Sequence, residues 1–245
     1  MTFFNAEEYT DPKNYDAEFG GEWEKYEFFL QEAKGHERVL ELACGTGLTI
    51  LYLAEKGVNI DGADILPNMI QYAKQKNKVD NARFFVGDAL TFTSPILYDF
   101  VYLTGNAFQA FLNEKDQNLL LQTVNKLLKV GGKFIFETRN PDGNDLTDCE
   151  YEYWHTFQDV EGNPVEVGGE QRFDPQSNIM KWTTVRKFKN FETTANILCL
   201  FTKPEKIRRL LVNHGFEIKA EYGNWSRSAF TNKDAMIIFV AVKKE

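Results

Sequence analysis

Residues Glu41 to Gly47, Glu-Leu-Ala-Cys-Gly-Thr-Gly, put a carboxylate at the mouth of a glycine turn. An aliphatic run from Val39 leads in, and an apolar helix-like segment begins at Leu48. A strand, a tight turn at Gly45 and Gly47, and a helix, in that order, let the backbone approach a nucleotide-like ligand closely. The pyrophosphate-binding version of this turn carries a third glycine, and Ile50 stands in its place. Glu41 would repel a pyrophosphate; it suits a ligand carrying an ammonium or a sulfonium. Both features count against a nicotinamide-dependent dehydrogenase.

Two further carboxylates recur at the ends of apolar runs. Asp64 follows Glu41 by 23 residues. There a carboxylate can accept both hydroxyls of a ribose, or act as the N-terminal acid of the helix that Pro67 opens. Ile65 and Met69 offer apolar surface to a purine ring. In Gly87-Asp88-Ala89, Asp88 can accept from an adenine amino group or cap a short helix.

The elements that must position these groups follow from periodicity. Strands are expected at 38–42, 58–64, 82–86, 98–103 and 133–137, with helices at 48–56, 67–75 and 114–129 between them. Gly131-Gly132 is expected to stop the last of these helices. An earlier helix over 22–33 places Trp23, Tyr26, Phe29, Leu30 and Ala33 on one face. This alternation implies βαβ units and a doubly wound parallel sheet, an α/β fold. Short alternating runs with turn signals from 145 to 201 imply an antiparallel β insertion after strand five. A helix over 204–213 and strands at 216–222 and 236–242 follow, the last two paired antiparallel. The whole chain, 1–245, is expected to be one domain containing the insertion.

The Glu41, Gly45 and Gly47 pattern resembles that of the class I S-adenosylmethionine-dependent methyltransferases. Their first motif is an acidic residue followed by x-G-x-G-x-G, with Ala43 here in the place of the first glycine. Asp64 and Asp88 match that family's ribose-binding and adenine-edge acids. Val130-Gly131-Gly132 resembles its L-[KR]-P-G-G segment, with valine for proline. The resemblance spans about 36–140 and, more loosely, 203–243. It implies a Rossmann-like seven-stranded sheet of order 3-2-1-4-5-7-6, with the last strand antiparallel. It also implies S-adenosyl-L-methionine as cofactor, contacted by Glu41, Ala43, Cys44, Gly45, Gly47, Asp64, Ile65, Met69, Gly87, Asp88, Ala89, Leu103 and Thr104.

The same resemblance points the transferable methyl group toward the end of strand four, beside Thr104-Gly-Asn-Ala-Phe-Gln109. The N/D-P-P-Y/F tetrad of many nucleic-acid and protein amino-methyltransferases is absent. Asn106 and Phe108 instead suit a small, partly apolar acceptor, unless Phe108 is simply a core residue. Arg139, at the end of strand five, could clamp an anionic group of the substrate or pair with a loop acid. Tyr15, in Asn14-Tyr15-Asp16, resembles a lid tyrosine over the cofactor; packing among Tyr9 and Phe19 is the alternative. His155, in the insertion, is a candidate base at neutral pH. Trp225, after strand six, lies in a loop that could reach the substrate.

A net charge of −8 argues against a nucleic-acid partner, and Glu205 interrupts the densest basic run, Lys203 to Arg209. Cys44, Cys149 and Cys199 show no metal-ligand or disulfide spacing. No apolar run approaches the roughly 20 residues of a membrane span, and the first residues show no signal-peptide pattern. The expectation is a cytoplasmic methyltransferase acting on a small molecule, without metal. The competing readings are an RNA or protein methyltransferase, and a cofactor-binding protein whose aromatic insertion serves as a homodimer or partner surface.

Overall fold

The computed structural model describes residues 5–245. Two helices, α1 (Pro12–Phe19) and α2 (Trp23–Ala33), precede the alternating unit. That unit runs β1 (Val39–Leu42), α3 (Leu48–Glu55), β2 (Ile60–Asp64), α4 (Pro67–Lys76), β3 (Ala82–Val86), β4 (Tyr98–Leu103), α5 (Glu114–Leu127) and β5 (Leu128–Arg139). Four strands follow, β6 (Cys149–Gln158), β7 (Pro164–Asp174), β8 (Ile179–Lys187) and β9 (Glu192–Leu200). The chain closes with α6 (Pro204–Asn213), β10 (Phe216–Tyr222) and β11 (Met236–Lys243).

The main sheet has the order β10-β11-β5-β4-β1-β2-β3. β11 runs antiparallel to both neighbours, while β1 to β5 pair parallel. This is the expected order, with the sixth and seventh strands as β10 and β11. β1 is buried at all four positions and β2 at all five, as strands covered by helices on both faces must be. α5 and α6 cover one face through Leu120, Leu121, Val124, Ile207 and Leu211. α2, α3 and α4 cover the other through Phe28, Phe29, Ile50, Leu53 and Ile70.

β6 to β9 form a separate antiparallel meander, as the alternation between 145 and 201 predicts. Two local expectations need correction. α5 stops at Leu127, ahead of Gly131-Gly132, because the chain already joins β4 through the Tyr98–Leu128 pair. The left-handed Gly131 (φ 76°) lies within the strand that follows, at its irregular start. Trp23 is 65% exposed and packs edge-on against Tyr26 and Tyr52, so the apolar face of α2 starts with Tyr26. No helix among the described residues is long and apolar enough to cross a membrane.

Candidate active site

In a doubly wound sheet, ligands sit at the carboxyl ends of the strands where the order reverses. Here β1 lies between β2 and β4, and the glycine turn leaves from its end. The turn is left-handed at Ala43 (φ 55°), Gly45 (φ 53°) and Gly47 (φ 73°). Those angles account for the glycines, and Ala43 bears the Cβ strain at the first position.

Asp64 organises the turn. Its Oδ2 accepts the Gly45 backbone N–H at 2.8 Å and its Oδ1 accepts that of Leu66 at 2.9 Å. Burial pushes this carboxyl above the usual carboxylate range, while the backbone donors pull it down. A carboxylate fixed on both oxygens keeps further lone pairs for ribose hydroxyls. Met69 flanks the turn, its Cε 3.5 Å from where a Cβ on Gly45 would lie. Asp88 at the end of β3 accepts the Leu90 N–H at 2.9 Å through Oδ1, which holds Gly87-Asp88-Ala89 in a tight turn.

Glu41 is buried on β1, accepting from the Tyr102 hydroxyl of β4 at 3.0 Å. Burial pushes its carboxyl up to about 8, opposed by the Tyr102 hydrogen bond and the Lys25 charge. Lys25, on α2, is itself buried and pairs with Glu22, the residue just ahead of that helix. Sequence reading passed over Lys25 because its neighbours set an ordinary apolar stripe. A lysine in register with Phe28 and Phe29 was the signal available.

A cation seated beside Glu41 favours the ionised carboxylate, so such binding at pH 7 should release a proton. Calorimetry with S-adenosylmethionine in buffers of different ionisation enthalpy should show that release, and Glu41→Gln should abolish it. Without ligand, the folded carboxyl stays protonated where the unfolded one, near 4.5, ionises. Stability should therefore fall as pH rises from about 4.5 to about 8, with a flatter profile in Glu41→Gln.

The amino-terminal segment lies across these groups. Tyr15 packs against Tyr9 and Phe19 at ring-centroid distances of 5.7 and 4.9 Å. It also reaches within 4.0 Å of a Cβ built on Gly45, so one ring joins the packing cluster to the glycine turn. Asp16, next in sequence, binds both Thr46 of the turn and Lys76 of α4. Glu18 and Glu8 hold Arg186 of β8, with 2.6 Å from Glu18 Oε2 to Arg186 Nε. The segment thus ties the insertion to the glycine turn.

Leu103 and Thr104 are both buried at the end of β4. The loop beyond turns at Asn106, left-handed at φ 57°. Its backbone N–H donates to Glu137 Oε1 of β5 at 2.9 Å. That turn drives Phe108 inward, where it is fully buried and stacks on Phe136 at 4.6 Å. Phe108 is therefore core, correcting its expected place on the acceptor surface. Arg139 donates to the Gln109 side-chain oxygen at 3.1 Å and lies over the Trp182 ring of β8 at 4.9 Å. Among the described residues no carboxylate lies within 4 Å of it, so the pairing with a loop acid is not formed.

Two other residues stand elsewhere. His155, on edge strand β6, binds Glu18 at 3.1 Å and so joins the contacts that hold the amino-terminal segment. Trp225 packs edge-on to Phe28 at 5.4 Å and beside Phe29 at 5.7 Å, behind α2. Among the described residues no group of three or more His, Cys, Asp or Glu could hold a metal ion.

A methyltransferase-domain family model matches residues 39–132, which run from β1 to the start of β5. A glycine/sarcosine/dimethylglycine N-methyltransferase of Actinopolyspora halophila is 28% identical over 239 residues, 91% of this chain. The chain covers only 40% of that relative's length. Residues 39–132 belong to this methyltransferase-domain family. A glycine/sarcosine N-methyltransferase of Halorhodospira halochloris is 26% identical over 226 residues, 89% of this chain and 80% of the relative. The CcbJ methyltransferase structure from Streptomyces caelestis shares the fold, with a TM-score of 0.81 at 18% identity. That match covers 96% of this chain and 100% of the other. The cofactor of the family is S-adenosyl-L-methionine. The left-handed turn, the backbone-fixed Asp64 and the carboxylate at Glu41 fit its ribose and its cationic portion.

Proposed function

We propose that this methyltransferase N-methylates a small acceptor carrying an anionic group, with Arg139 as the clamp for that group. The observation that carries the reading is Arg139 itself. It is a half-buried guanidinium oriented by Gln109 and Trp182, with no carboxylate partner among the described residues. A cation held this way at the mouth of a site favours a carboxylate or phosphate arriving from outside. Two relatives named for glycine and sarcosine methylation are consistent with an acceptor that pairs an amine with a carboxylate.

S-adenosylmethionine supplies a methyl group already activated on a sulfonium. An acceptor lone pair would form the new bond to the methyl carbon as the carbon–sulfur bond broke, and the acceptor nitrogen would then lose a proton. The protein's part is alignment and exclusion of water, worth roughly 7–11 kcal/mol when positioning is good. In this reading Lys25 pairs with the cofactor carboxylate, Asp64 takes the ribose hydroxyls and Asp88 the adenine edge. Ile65 and Met69 border the adenine. Tyr15 lies over the turn, and Asn106 faces the acceptor. His155 serves the fastening of the amino-terminal segment, and Trp225 the packing of α2. A homodimer through the insertion would use edge strand β6, where Tyr151 and Tyr153 are exposed.

The test is radiolabelled methyl transfer to glycine, sarcosine and ethanolamine. Turnover is expected with the two carboxylated amines, with KM raised at least 30-fold by Arg139→Gln and kcat changed far less. Equal turnover of ethanolamine, or an unchanged KM in the variant, would remove the clamp from the mechanism.

A further inference from the structure

At the end of β5, on the sheet face that α2 covers, the molecule buries a second carboxylate that the reading above leaves unused. Glu137 is 4% exposed. Its Oε1 accepts the Asn106 N–H at 2.9 Å and lies 3.5 Å from Thr104 Oγ1. Its Oε2 is buried and has no hydrogen-bond partner. A buried carboxylate oxygen left without a donor is costly, so a site that retains one is built for a donor that arrives.

The register places that oxygen. Glu41 pairs with Tyr102, and Leu103 with Phe136. Counting forward along these parallel strands, Ala43, Thr104 and Glu137 fall at one level across three adjacent strand ends. Glu137 thus stands level with the first residue of the glycine turn and one strand beyond Thr104. It shares the sheet face of Glu41 and Tyr102, the face that α2 covers. Lys25 is the buried cation above this face, and its charge favours the ionised form of both Glu41 and Glu137. Its own ion pair is with Glu22, just ahead of α2. Two carboxylates below and one lysine above form a receptor for a ligand end that carries both an ammonium and a carboxylate.

We propose that Glu137 Oε2 accepts a hydrogen bond from the α-ammonium of the methionine end of S-adenosylmethionine. Glu137 is then a cofactor-binding residue that also braces the loop after β4, through its other oxygen. Cofactor occupancy and acceptor-loop position share one side chain. The inference rests on the cofactor reading above and goes beyond it in assigning a residue outside the glycine turn and the three motif acids.

The experiment removes the partner from each side in turn. Wild type and Glu137→Gln are titrated calorimetrically with three ligands: S-adenosylhomocysteine, its analogue lacking the α-amino group, and 5′-methylthioadenosine, which lacks the whole amino-acid end. Glutamine keeps a carbonyl for the Asn106 N–H, so the loop brace survives; Glu137→Asp is the second variant should Glu137→Gln fold poorly. Glu137→Gln is expected to weaken S-adenosylhomocysteine at least tenfold and to change the other two less than twofold. An equal loss for all three ligands would reduce Glu137 to a structural brace and overturn the proposal. Unchanged S-adenosylhomocysteine affinity would also overturn it, leaving the oxygen to an acceptor amine. Absence of binding by the wild type would sink the cofactor reading itself, a result distinct from any difference between the proteins.

Discussion

Asp64→Ala is expected to weaken S-adenosylhomocysteine binding by two to four orders of magnitude. Hydrogen bonds to a charged acceptor contribute about 1.5–3 kcal/mol each, and the ribose offers two hydroxyls. The variant also strips the acceptor from the Gly45 and Leu66 amides, both now bound to Asp64 at under 3 Å. Part of the loss will therefore come from the glycine turn, which must reorganise before it can meet the ligand. Asp64→Asn separates the two contributions. Its amide retains one acceptor oxygen but turns an N–H toward one of the backbone donors, so its affinity should fall between wild type and alanine. Titration calorimetry reads the affinities and thermal melting reads the turn. An Asp64→Ala protein within threefold of wild type would show that Asp64 organises the turn without touching the cofactor.

The parts of this site legible in the sequence are those a single chain segment specifies. Glu41, the two turn glycines, Asp64 and Asp88 each sit at the end of a strand whose apolar run announces it, and periodicity located every strand of the main sheet. What stayed illegible depends on pairing across segments. Whether Phe108 lines a pocket or fills the core is decided by the left-handed turn at Asn106 and the face that Phe136 presents, neither encoded in the local pattern. Lys25 reads as a solvated charge on an amphipathic helix until α2 is laid on β1 and β4. Glu137 follows the short apolar run Phe134–Phe136 near the end of β5, and its significance appears only when the loop after β4 claims one oxygen and leaves the other.

Long-range charge was the other hidden layer. Arg186 is far in sequence from Glu8 and Glu18, yet it is 8% exposed within their cluster. A buried arginine held by two carboxylates is specific in geometry, and removing one partner would leave an uncompensated charge. His155 belongs to the same cluster, so its imidazole is accounted for by fastening. The insertion therefore contributes twice. Through Arg186 it anchors the segment that carries Tyr15 and Asp16 over the glycine turn, and through Trp182 it orients Arg139.

Gly47→Ala is expected to cost about 2–5 kcal/mol of stability, the sum of two separate penalties. The left-handed conformation at φ 73° disfavours any Cβ by roughly 1–2 kcal/mol. Ala43 shows that this turn can carry one such residue, at φ 55°, so the conformation alone does not forbid alanine. The second penalty is steric. A Cβ on Gly47 would lie 2.5 Å from Phe84 Cε1 and 2.8 Å from Phe84 Cζ. Phe84 is buried on β3 against Ile50, Cys44 and Ile60, so the ring cannot swing aside without opening the core; overpacking of this kind costs about 1–3 kcal/mol. The control is a paired change, Gly47→Ala with Phe84→Leu, which shortens the obstructing side chain. Denaturant unfolding should show the double variant losing less than the sum of the two single changes, because the smaller side chain relieves the clash. Strict additivity would mean that the ring yields without strain and that the left-handed angle is the whole requirement for glycine at this position.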